Sequence, residues 1–322
     1  MSIEMKLTKE RQRRIEDDLM LDVPFVKGQD KQITNCWHFS TDGNAVDLMF
    51  SGEDDFRDAM NRIYAVLKEY DVVILAFSLM DTHVHFVLHG DYDECNRFMH
   101  DYIKRTSMHI AAVHGERNKM SRVPINHQRV DTDAYLKTVI CYTVRNAPVG
   151  GIPFNCYDYP WSSGPLYFRK VGYWCSPRWM TDSSEIQMGF HEYRETVKSQ
   201  WKAPVTAQMI DDLIFPGEYV AYEIVERLFK TNKAYLFFIG RSREEDVDSR
   251  GGVISHLSIP MQEMRQHRTE LCREMFGKNS IRYLDTSQRI RLAKILKAKY
   301  NSSLKQIIRL SGLIYSEVKD LM

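Results

Sequence analysis

The sequence predicts an α+β fold: a ferredoxin-like, split βαβ antiparallel sheet with helices on one face, followed by a mostly helical C-terminal region that ends in a helix-turn-helix-like unit. The first observation is the order of hydrophobic periods between residues 32 and 146, which indicates strand, helix, strand, strand, helix, strand and a further helix. The second is that helical patterns dominate from residue 181 onward.

Composition limits the class of protein. The chain has 322 residues, 43% hydrophobic and 27% charged, which is ordinary for a folded protein of about two domains. Its six cysteines are scattered without CxxC spacing, which favours reduced thiols and a cytoplasmic location. No apolar run approaches the ~20 residues of a membrane span, so no membrane partner is expected. The net charge of +1 is compatible with a nucleic-acid partner, since the tail from residue 282 is basic.

The first elements follow from local signals. Residues 1–25 are charged and are expected to form a solvated arm or helix, with Arg11 exposed to water. Residues 32–40 are rich in β-forming side chains and end at a turn signal. Ser51 has the spacing of a helix cap, with Asp54 three positions later. The helix after it repeats apolar residues on one face: Phe56, Met60, Ile63 and Leu67.

The next elements complete the sheet and add a helix. Pro124 favours an edge position for the strand that contains it, because proline cannot donate to a sheet. Asp133 can begin a helix that we expect to end at Asn146, because Pro148 follows. The elements predicted here are a hairpin of strands 72–79 and 83–88, a helix over 91–114, a strand over 122–130 and a helix over 133–146.

Two histidines follow the tight turn of the hairpin. Strand side chains alternate faces, so His83 and His85 point the same way, ~6.6 Å apart along the strand. Neutral imidazoles at this spacing predict a metal site. The alternative, outward polar residues that happen to be histidine, is equally good on chemistry alone. His89 keeps the same parity but lies too far along the strand for a compact metal shell.

The last helix of this region carries a tyrosine and an amide on one stripe. Tyr142 and Asn146 are four residues apart, so their Cβ atoms lie ~5–6 Å apart on one face. A tyrosine on such a stripe more often fills a core than performs chemistry.

Three blocks in order resemble one protein family. Asp81-Thr82-His83-Val84-His85 resembles the His-hydrophobe-His signature of HUH single-strand endonucleases. Tyr142, Asn146 and the following Pro148 look like the single-tyrosine helix of insertion-sequence transposases in that superfamily. The block at residues 159–163, YPWSS, is similar to one found in the REP-associated tyrosine transposases. The resemblance covers residues 32–163, about two fifths of the chain.

The resemblance implies a reaction and a set of site residues. Tyr142 is then the nucleophile of a single-strand DNA endonuclease and transposase that cuts and rejoins DNA through a 5′-phosphotyrosine intermediate. His83, His85 and Asn146 are the implied ligands of a divalent cation, Mg²⁺ or Mn²⁺. Phosphate contacts are expected from cations of the helix after the hairpin and of the C-terminal region: Arg97, Lys104, Arg105, Arg289, Arg291, Lys294 and Lys305.

Two departures from the family pattern leave alternatives open. Asp81-Thr82 stand where the family usually has Pro-Asn, and Ala147 separates Asn146 from Pro148. The implied partner is single-stranded or hairpin DNA, and relatives occur as monomers and as homodimers. The alternatives are a rolling-circle replication or relaxase-like nickase with the same site, and a domesticated regulator that binds DNA hairpins without cutting them.

The domain organisation predicted from these features has four parts. An HUH single-tyrosine nuclease domain at 26–180 follows the N-terminal arm. Residues 181–280 are expected to form a helical region of unknown role. Residues 281–322 are expected to form a basic trihelical module that either binds DNA or caps the fold, with its last helix at 316–322.

Overall fold

A four-stranded antiparallel sheet organises the larger part of this computed structural model. The structure describes residues 8–24, 26, 29–42, 49–115, 123–149, 159–169, 184–188, 191, 195–196, 205–210, 212–241, 261–300 and 304–314. Contacts divide these residues into two units, one containing the described residues up to Arg241 and the other those from Met261 onward. In chain order the first unit contains α1 (Lys9–Asp18), β1 (Gln32–Thr41), α2 (Glu53–Leu67), β2 (Val73–Leu79), β3 (Val84–His89), α3 (Tyr92–His114), β4 (Ile125–Thr132), α4 (Asp133–Val149), β5 (Ser184–Met188), β6 (Val205–Ile210), β7 (Leu213–Ile214), α5 (Tyr222–Phe229) and α6 (Asn232–Arg241).

The strand order confirms the predicted α+β fold. The strands lie in the order β2-β3-β1-β4 and every neighbouring pair is antiparallel. This is the order that two interleaved βαβ units produce when each helix crosses over one strand. The register pairs Ser40 with His85 and His38 with Val87. Since directly paired residues point to the same face, His38 and His85 share one face of the sheet.

Helices cover the two faces of the sheet differently. On one face Phe86 packs against Phe98 and Tyr102 of α3, with ring centroids 5.9 and 5.2 Å apart. The helix α2 packs beside α3, so these two helices share that face as predicted. On the opposite face α4 lies over the strands and brings Tyr142 to His85. The histidine face therefore has a helix of its own above it.

Two helix ends differ from the predicted ones. The N-cap of α2 is Gly52, and Ser51 takes part through its backbone N–H, which donates to the carboxylate of Asp55 at 2.7 Å. The predicted Ser51 cap is therefore wrong, because the helix begins one residue later. Helix α4 continues past Asn146 and Pro148 to Val149. A proline in the last turn removes a single intrahelical hydrogen bond, so it weakens the end of the helix without ending it at Asn146.

The N-terminal helix is docked, which corrects the expected solvated arm. Arg11 donates to the backbone oxygen of Val72 at 3.0 Å and pairs with Asp71 at 2.7 Å. Ile15 is fully buried. Partners more than 50 residues away along the chain hold this helix, and local charge pattern does not reveal such partners.

The region from residue 181, predicted as helical, also contains a small sheet. Strands β5, β6 and β7 pair antiparallel in that order. The side chain of Asn61 fixes this sheet to α2, because Nδ2 of Asn61 donates to the backbone oxygen of Asp212 at 2.9 Å and Oδ1 accepts from Ile214 N–H at 2.9 Å. The helical patterns expected near 219–229 and 260–275 correspond to α5 and to Met261–Phe276.

The YPWSS block extends the sheet beyond β2. The N–H of Leu79 donates to the backbone oxygen of Trp161 at 2.9 Å, and the N–H of Ser163 donates to that of Phe77 at 3.0 Å. The hydroxyl of Tyr159 donates to the backbone oxygen of Leu79 at 2.6 Å. The block therefore covers the outer edge of the strand that precedes the two histidines.

The second unit has a core of its own. It contains α7 (Met261–Phe276), α8 (Thr286–Tyr300) and α9 (Leu304–Ser311). Leu271, Leu292, Leu296 and Leu310 are among the buried residues that join the three helices. This core includes residues that precede residue 281, the predicted start of the C-terminal module. The predicted helix at 316–322 lies outside the described residues. No helix among the described residues is long and apolar enough to span a membrane.

Candidate functional site

The two predicted histidines lie side by side where the hairpin enters β3. The ring centroids of His83 and His85 are 4.9 Å apart with an interplanar angle of 80°. His85 is buried within the strand, whereas His83 precedes the strand and is half-buried. The tight turn at residues 81–82 and the alternation of the strand together place both imidazoles at the same end of the sheet.

Protein groups contact the same nitrogen in both rings. Nδ1 of His83 lies 2.9 Å from the hydroxyl oxygen of Thr82. Nδ1 of His85 lies 3.1 Å from Nε2 of His38 on β1. A hydrogen bond at one imidazole nitrogen fixes the orientation of the ring and the position of its proton.

Helix α4 brings the predicted tyrosine to this pair. The ring of Tyr142 is edge-on to His85, with centroids 5.5 Å apart and an interplanar angle of 89°. It is also edge-on to His38, at 5.9 Å and 87°. Tyr142 is half-buried whereas His38 and His85 are buried, so among these three rings it is Tyr142 that is partly open to solvent. The structure thus joins the helix block and the hairpin block, 57 residues apart along the chain, in one cluster.

Sequence reasoning missed His38. The predicted first strand contains it, but a single histidine in a strand gives no metal-ligand spacing. Its parity within the strand places it opposite the core residue Phe39, which indicates only that it faces the other side of the sheet. The register that sets His38 diagonal to His85 involves residues 47 positions apart and cannot be read from local pattern.

Burial keeps the imidazoles neutral. Burial lowers the pKa of His38 from 6.5 to about 4. Burial also lowers the pKa of His85 well below its ordinary value, and the neighbouring His83 and His38 shift it in the same direction. At neutral pH both rings are therefore uncharged, which is the form in which histidine binds a metal ion.

Asn146, the predicted third ligand, is close to Tyr142 along the helix, but no described hydrogen bond joins it to the histidines. It lies one helical turn after Tyr142 and is half-buried. Its Nδ2 is buried, and within the described part of the chain it has no hydrogen-bond partner. The orphaned amide shows that Asn146 has an unmet hydrogen-bonding group near the tyrosine.

The donor set fits a divalent ion that takes further ligands from substrate and water. Among the described residues, no three His, Cys, Asp or Glu side chains are grouped closely enough to hold an ion by themselves. Imidazole nitrogens from His83 and His85 and an amide oxygen from Asn146 would be an incomplete donor set that mixes nitrogen and oxygen. Such a shell suits Mn²⁺, and also Mg²⁺ when the remaining ligands are oxygens.

His89 belongs to a different group of side chains. Its Nε2 lies 2.9 Å from Oδ2 of Asp18, which also accepts a hydrogen bond from Asn35 at 3.0 Å. Oδ1 of Asp18 accepts a hydrogen bond from Thr34 at 3.1 Å. His89 therefore holds α1 against the sheet.

The predicted cations of the first unit have different environments. Arg105 is half-buried and binds the carboxylates of Glu69 and Asp101, at 2.6 and 2.7 Å. Arg97 pairs with Glu94 within α3 and remains largely exposed. Lys104 is exposed. Of these three, Lys104 and Arg97 are the cations whose side chains face solvent.

The predicted cations of the second unit also divide into two groups. The guanidinium of Arg289 donates to the backbone oxygens of Leu284 and Gly312, at 3.1 and 3.3 Å, so it connects two segments of the unit. Arg291 and Lys294 are exposed on α8. Lys305 lies in α9, but its side chain is outside the described part.

Comparisons with known proteins find one weak likeness. No family model matches the sequence, and no curated protein matches it. Among solved structures, the chain is similar to a REP-associated tyrosine transposase bound to a REP hairpin, with a TM-score of 0.32 and 16% identity over 48% of this chain and 89% of that one. A likeness of this extent does not define a function, which has to come from the residues of the site.

Proposed function

We propose that this protein is a metal-dependent single-strand DNA endonuclease and transposase that cuts and rejoins DNA through a 5′-phosphotyrosine at Tyr142. The observation that carries the proposal is the contact of Tyr142 with His85, which itself lies beside His83. A half-buried phenol next to this pair of imidazoles has the parts that phosphoryl transfer by a tyrosine requires. The motif resemblance supports the same chemistry at the same residues.

Tyr142 supplies the nucleophile. Its oxygen forms a bond to phosphorus while the bond from phosphorus to the 3′ oxygen breaks, and the proton lost by the phenol is balanced, through solvent, by the one that the departing 3′ oxygen gains to become a hydroxyl. The reverse step, attack of a 3′-hydroxyl on the phosphotyrosine, rejoins the strand and restores the phenol. A phenol with an ordinary pKa near 10 is a weak nucleophile at neutral pH, so this chemistry needs help at the phosphate.

His83 and His85 would hold the cation, with Asn146 as the third protein ligand. When bound, Mg²⁺ or Mn²⁺ supplies Lewis-acid polarisation of the phosphate and offsets its charge. The two rings contribute orientation, because their Nδ1 atoms are already engaged with Thr82 and His38. Helix α4 contributes the position of the nucleophile relative to those rings.

The substrate that fits this site is single-stranded at the cut. Helix α4 lies over the histidine face of the sheet, so a flexible strand reaches Tyr142 more readily than a rigid duplex does. Lys104 and Arg97, exposed on α3, are the proposed phosphate contacts in this unit, and Arg291 and Lys294 are those in the second unit. Because α3 packs on the sheet face opposite Tyr142, Lys104 and Arg97 would bind DNA away from the cut. A DNA hairpin beside the cut and a cytoplasmic location belong to the same proposal.

One observation favours a second candidate function. The described contacts do not bring Asn146 to the histidines, and Ala147 lengthens the helix at this point. A protein that keeps the ring cluster (His38, His83, His85 and Tyr142) but lacks a full set of metal ligands would bind a DNA hairpin without cutting it. Such a protein would act as a regulator.

A covalent adduct distinguishes these functions. The protein is incubated with Mn²⁺ and an end-labelled DNA hairpin that carries a single-stranded tail, and is then denatured and separated on a gel. We expect a labelled protein–DNA adduct that EDTA abolishes and that is missing in Tyr142→Phe. The matched control is Tyr135→Phe, which removes a hydroxyl from a buried tyrosine on the same helix and should leave the adduct unchanged.

One result would contradict the enzyme activity, and another would contradict the choice of Tyr142. If the hairpin binds tightly but no adduct forms over a range of tail sequences and both cations, the non-cutting regulator is the better reading. If an adduct persists in Tyr142→Phe, the nucleophile has been assigned to the wrong residue.

A further inference from the structure

His38 is the residue of the ring cluster for which neither motif nor resemblance assigned a role. Its side chain is 6% exposed, its Nε2 lies 3.1 Å from Nδ1 of His85, and the two rings are parallel within 10°. It also contacts the edge of the Tyr142 ring. His38 therefore touches both the predicted metal ligand and the predicted nucleophile.

A purely structural role does not explain this pair well. Two imidazoles buried side by side retain polar nitrogens that must be satisfied, which an aromatic hydrocarbon at position 38 would avoid. The hydrogen bond between the two rings satisfies one nitrogen of each. Antiparallel pairing of β1 and β3 fixes both backbones, so the register of these two strands brings the rings of His38 and His85 together.

The hydrogen bond can run in two directions, and they differ in consequence. If His38 donates from Nε2, Nδ1 of His85 is the acceptor and the neutral His85 carries its proton on Nε2. If His85 donates from Nδ1, Nε2 of His85 keeps a lone pair, and this is the nitrogen that can bind a cation. Ligation through Nε2 therefore requires His38 to be the acceptor.

We propose that His38 is a positioning residue that accepts a hydrogen bond from Nδ1 of His85 and thereby presents Nε2 of His85 to the divalent cation. The inference rests on the proposed function for the presence of a cation. The inference adds to the proposed function because it assigns a role to His38, which acts through His85 and does not bind the ion itself. Groups that hold the far nitrogen of a ligating histidine are worth about 10- to 100-fold in metal affinity.

Substitutions at position 38 separate hydrogen bonding from packing. His38→Phe keeps an aromatic ring beside His85 and Tyr142, but it removes the acceptor. His38→Gln restores an acceptor near the position of Nε2. The control is His89→Phe, which removes another buried imidazole from the same strand as His85, one that pairs with Asp18.

The first readout is binding of Mn²⁺ alone, measured by calorimetry on the full-length protein, with thermal unfolding recorded for each variant. We expect His38→Phe to lower the affinity for Mn²⁺ by about 10- to 100-fold and His38→Gln to restore most of it. His89→Phe should bind Mn²⁺ like the wild type even if it unfolds at a lower temperature. Equal affinity in His38→Phe and the wild type, or no binding by the wild type, would overturn the inference.

The second readout does not depend on activity or on the fold of a variant. In wild-type protein with ¹⁵N-labelled histidine, a scalar coupling across the hydrogen bond between His38 Nε2 and His85 Nδ1 is expected. With diamagnetic Mg²⁺ bound, the proton should reside on Nδ1 of His85. A proton on Nε2 of His85 in the Mg²⁺-bound protein would exclude His38 as the acceptor.

The outcomes for His38 and for the enzyme can be told apart. Weakened Mn²⁺ binding in His38→Phe, without any DNA adduct in the wild type, would support the positioning role and exclude the proposed enzyme activity. A DNA adduct in the wild type, together with undiminished Mn²⁺ binding in His38→Phe, would support the proposed enzyme activity and exclude the positioning role of His38.

Discussion

Lys68 follows the last residue of α2, and its ammonium group gains a cation–π contact but loses hydration. Its Nζ lies 4.4 Å from the centre of the Tyr64 ring, and burial lowers its pKa from 10.5 to about 8, although the nearby Glu218 acts in the opposite direction. Below pH 8 the folded and unfolded chains both carry the charge, and the folded state bears the cost of burying it. Between pH 8 and 10.5 the folded state loses its proton first, so this cost disappears as the pH rises.

We therefore predict that Lys68→Met raises the melting temperature at pH 7 and that its advantage over the wild type shrinks between pH 8 and 10.5. Methionine keeps a flexible chain beside Tyr64 without the charge. The measurement is the difference in melting temperature between the two proteins at each pH, which cancels other titrations. An advantage that is constant over this pH range would show that packing, rather than the ammonium charge, is responsible.

At the scale of single residues, the sequence predicts the site unevenly. His83 and His85 could be predicted to lie together because they are two residues apart directly after a tight turn, although His83 precedes β3. Tyr142 needed the motif resemblance, since its own helix stripe is equally consistent with a core position. His38 could not be found because its role depends on pairing between β1 and β3, and strand register is a property of the folded sheet.

Helix α1 shows how one element depends on a few long-range hydrogen bonds. The carboxylate of Asp18 accepts from Thr34 and Asn35 of β1 and contacts His89 of β3. Burial alone would raise the pKa of Asp18, but the hydrogen bonds from Asn35 and His89 outweigh it and the net shift is downward. The ionised carboxylate is thus the form that the folded state favours.

We predict that Asp18→Ala lowers the free energy of unfolding by about 1–3 kcal/mol, because it leaves the buried His89 without its partner. Urea unfolding followed by circular dichroism measures the change. Asp17→Ala, at the neighbouring exposed position of the same helix, is the matched control and should stay within about 0.5 kcal/mol of the wild type. Equal effects of the two substitutions would mean that α1 is not held through Asp18.

Other elements show where local pattern suffices. The order of β1 to α4 follows from clear changes between the two-residue hydrophobic period of strands and the 3.6-residue period of helices, and the structure confirms this order. Strands β5 and β6 have five and six residues, and β7 has two, so each gives little periodic signal against the surrounding helical pattern. β6 and β7 form a short local hairpin, but β5 pairs with β6 from an earlier part of the chain, and Asn61 of α2 bonds to β7 from much further away. Such short strands are stabilised by tertiary contacts that the sequence does not display locally.

On the scale of the whole molecule, each of the two units has its own buried leucines. Leu88 of β3 is fully buried in the first unit, and Leu296 of α8 is fully buried in the core of the second. Separate cores can unfold in separate cooperative steps. The proposed cation site lies entirely in the first unit, so a bound ion should stabilise that unit alone.

We predict two calorimetric transitions for the full chain, which matched substitutions assign. Leu88→Ala should lower one transition and Leu296→Ala the other, each by a destabilisation of about 2–5 kcal/mol. Mn²⁺ should raise only the transition that responds to Leu88→Ala, and His85→Ala should remove that shift. If both substitutions lower a single shared transition, the units unfold together and the ion stabilises the chain as a whole. If Mn²⁺ raises the transition assigned by Leu296→Ala instead, the cation binds the second unit and the proposed ligands are wrong.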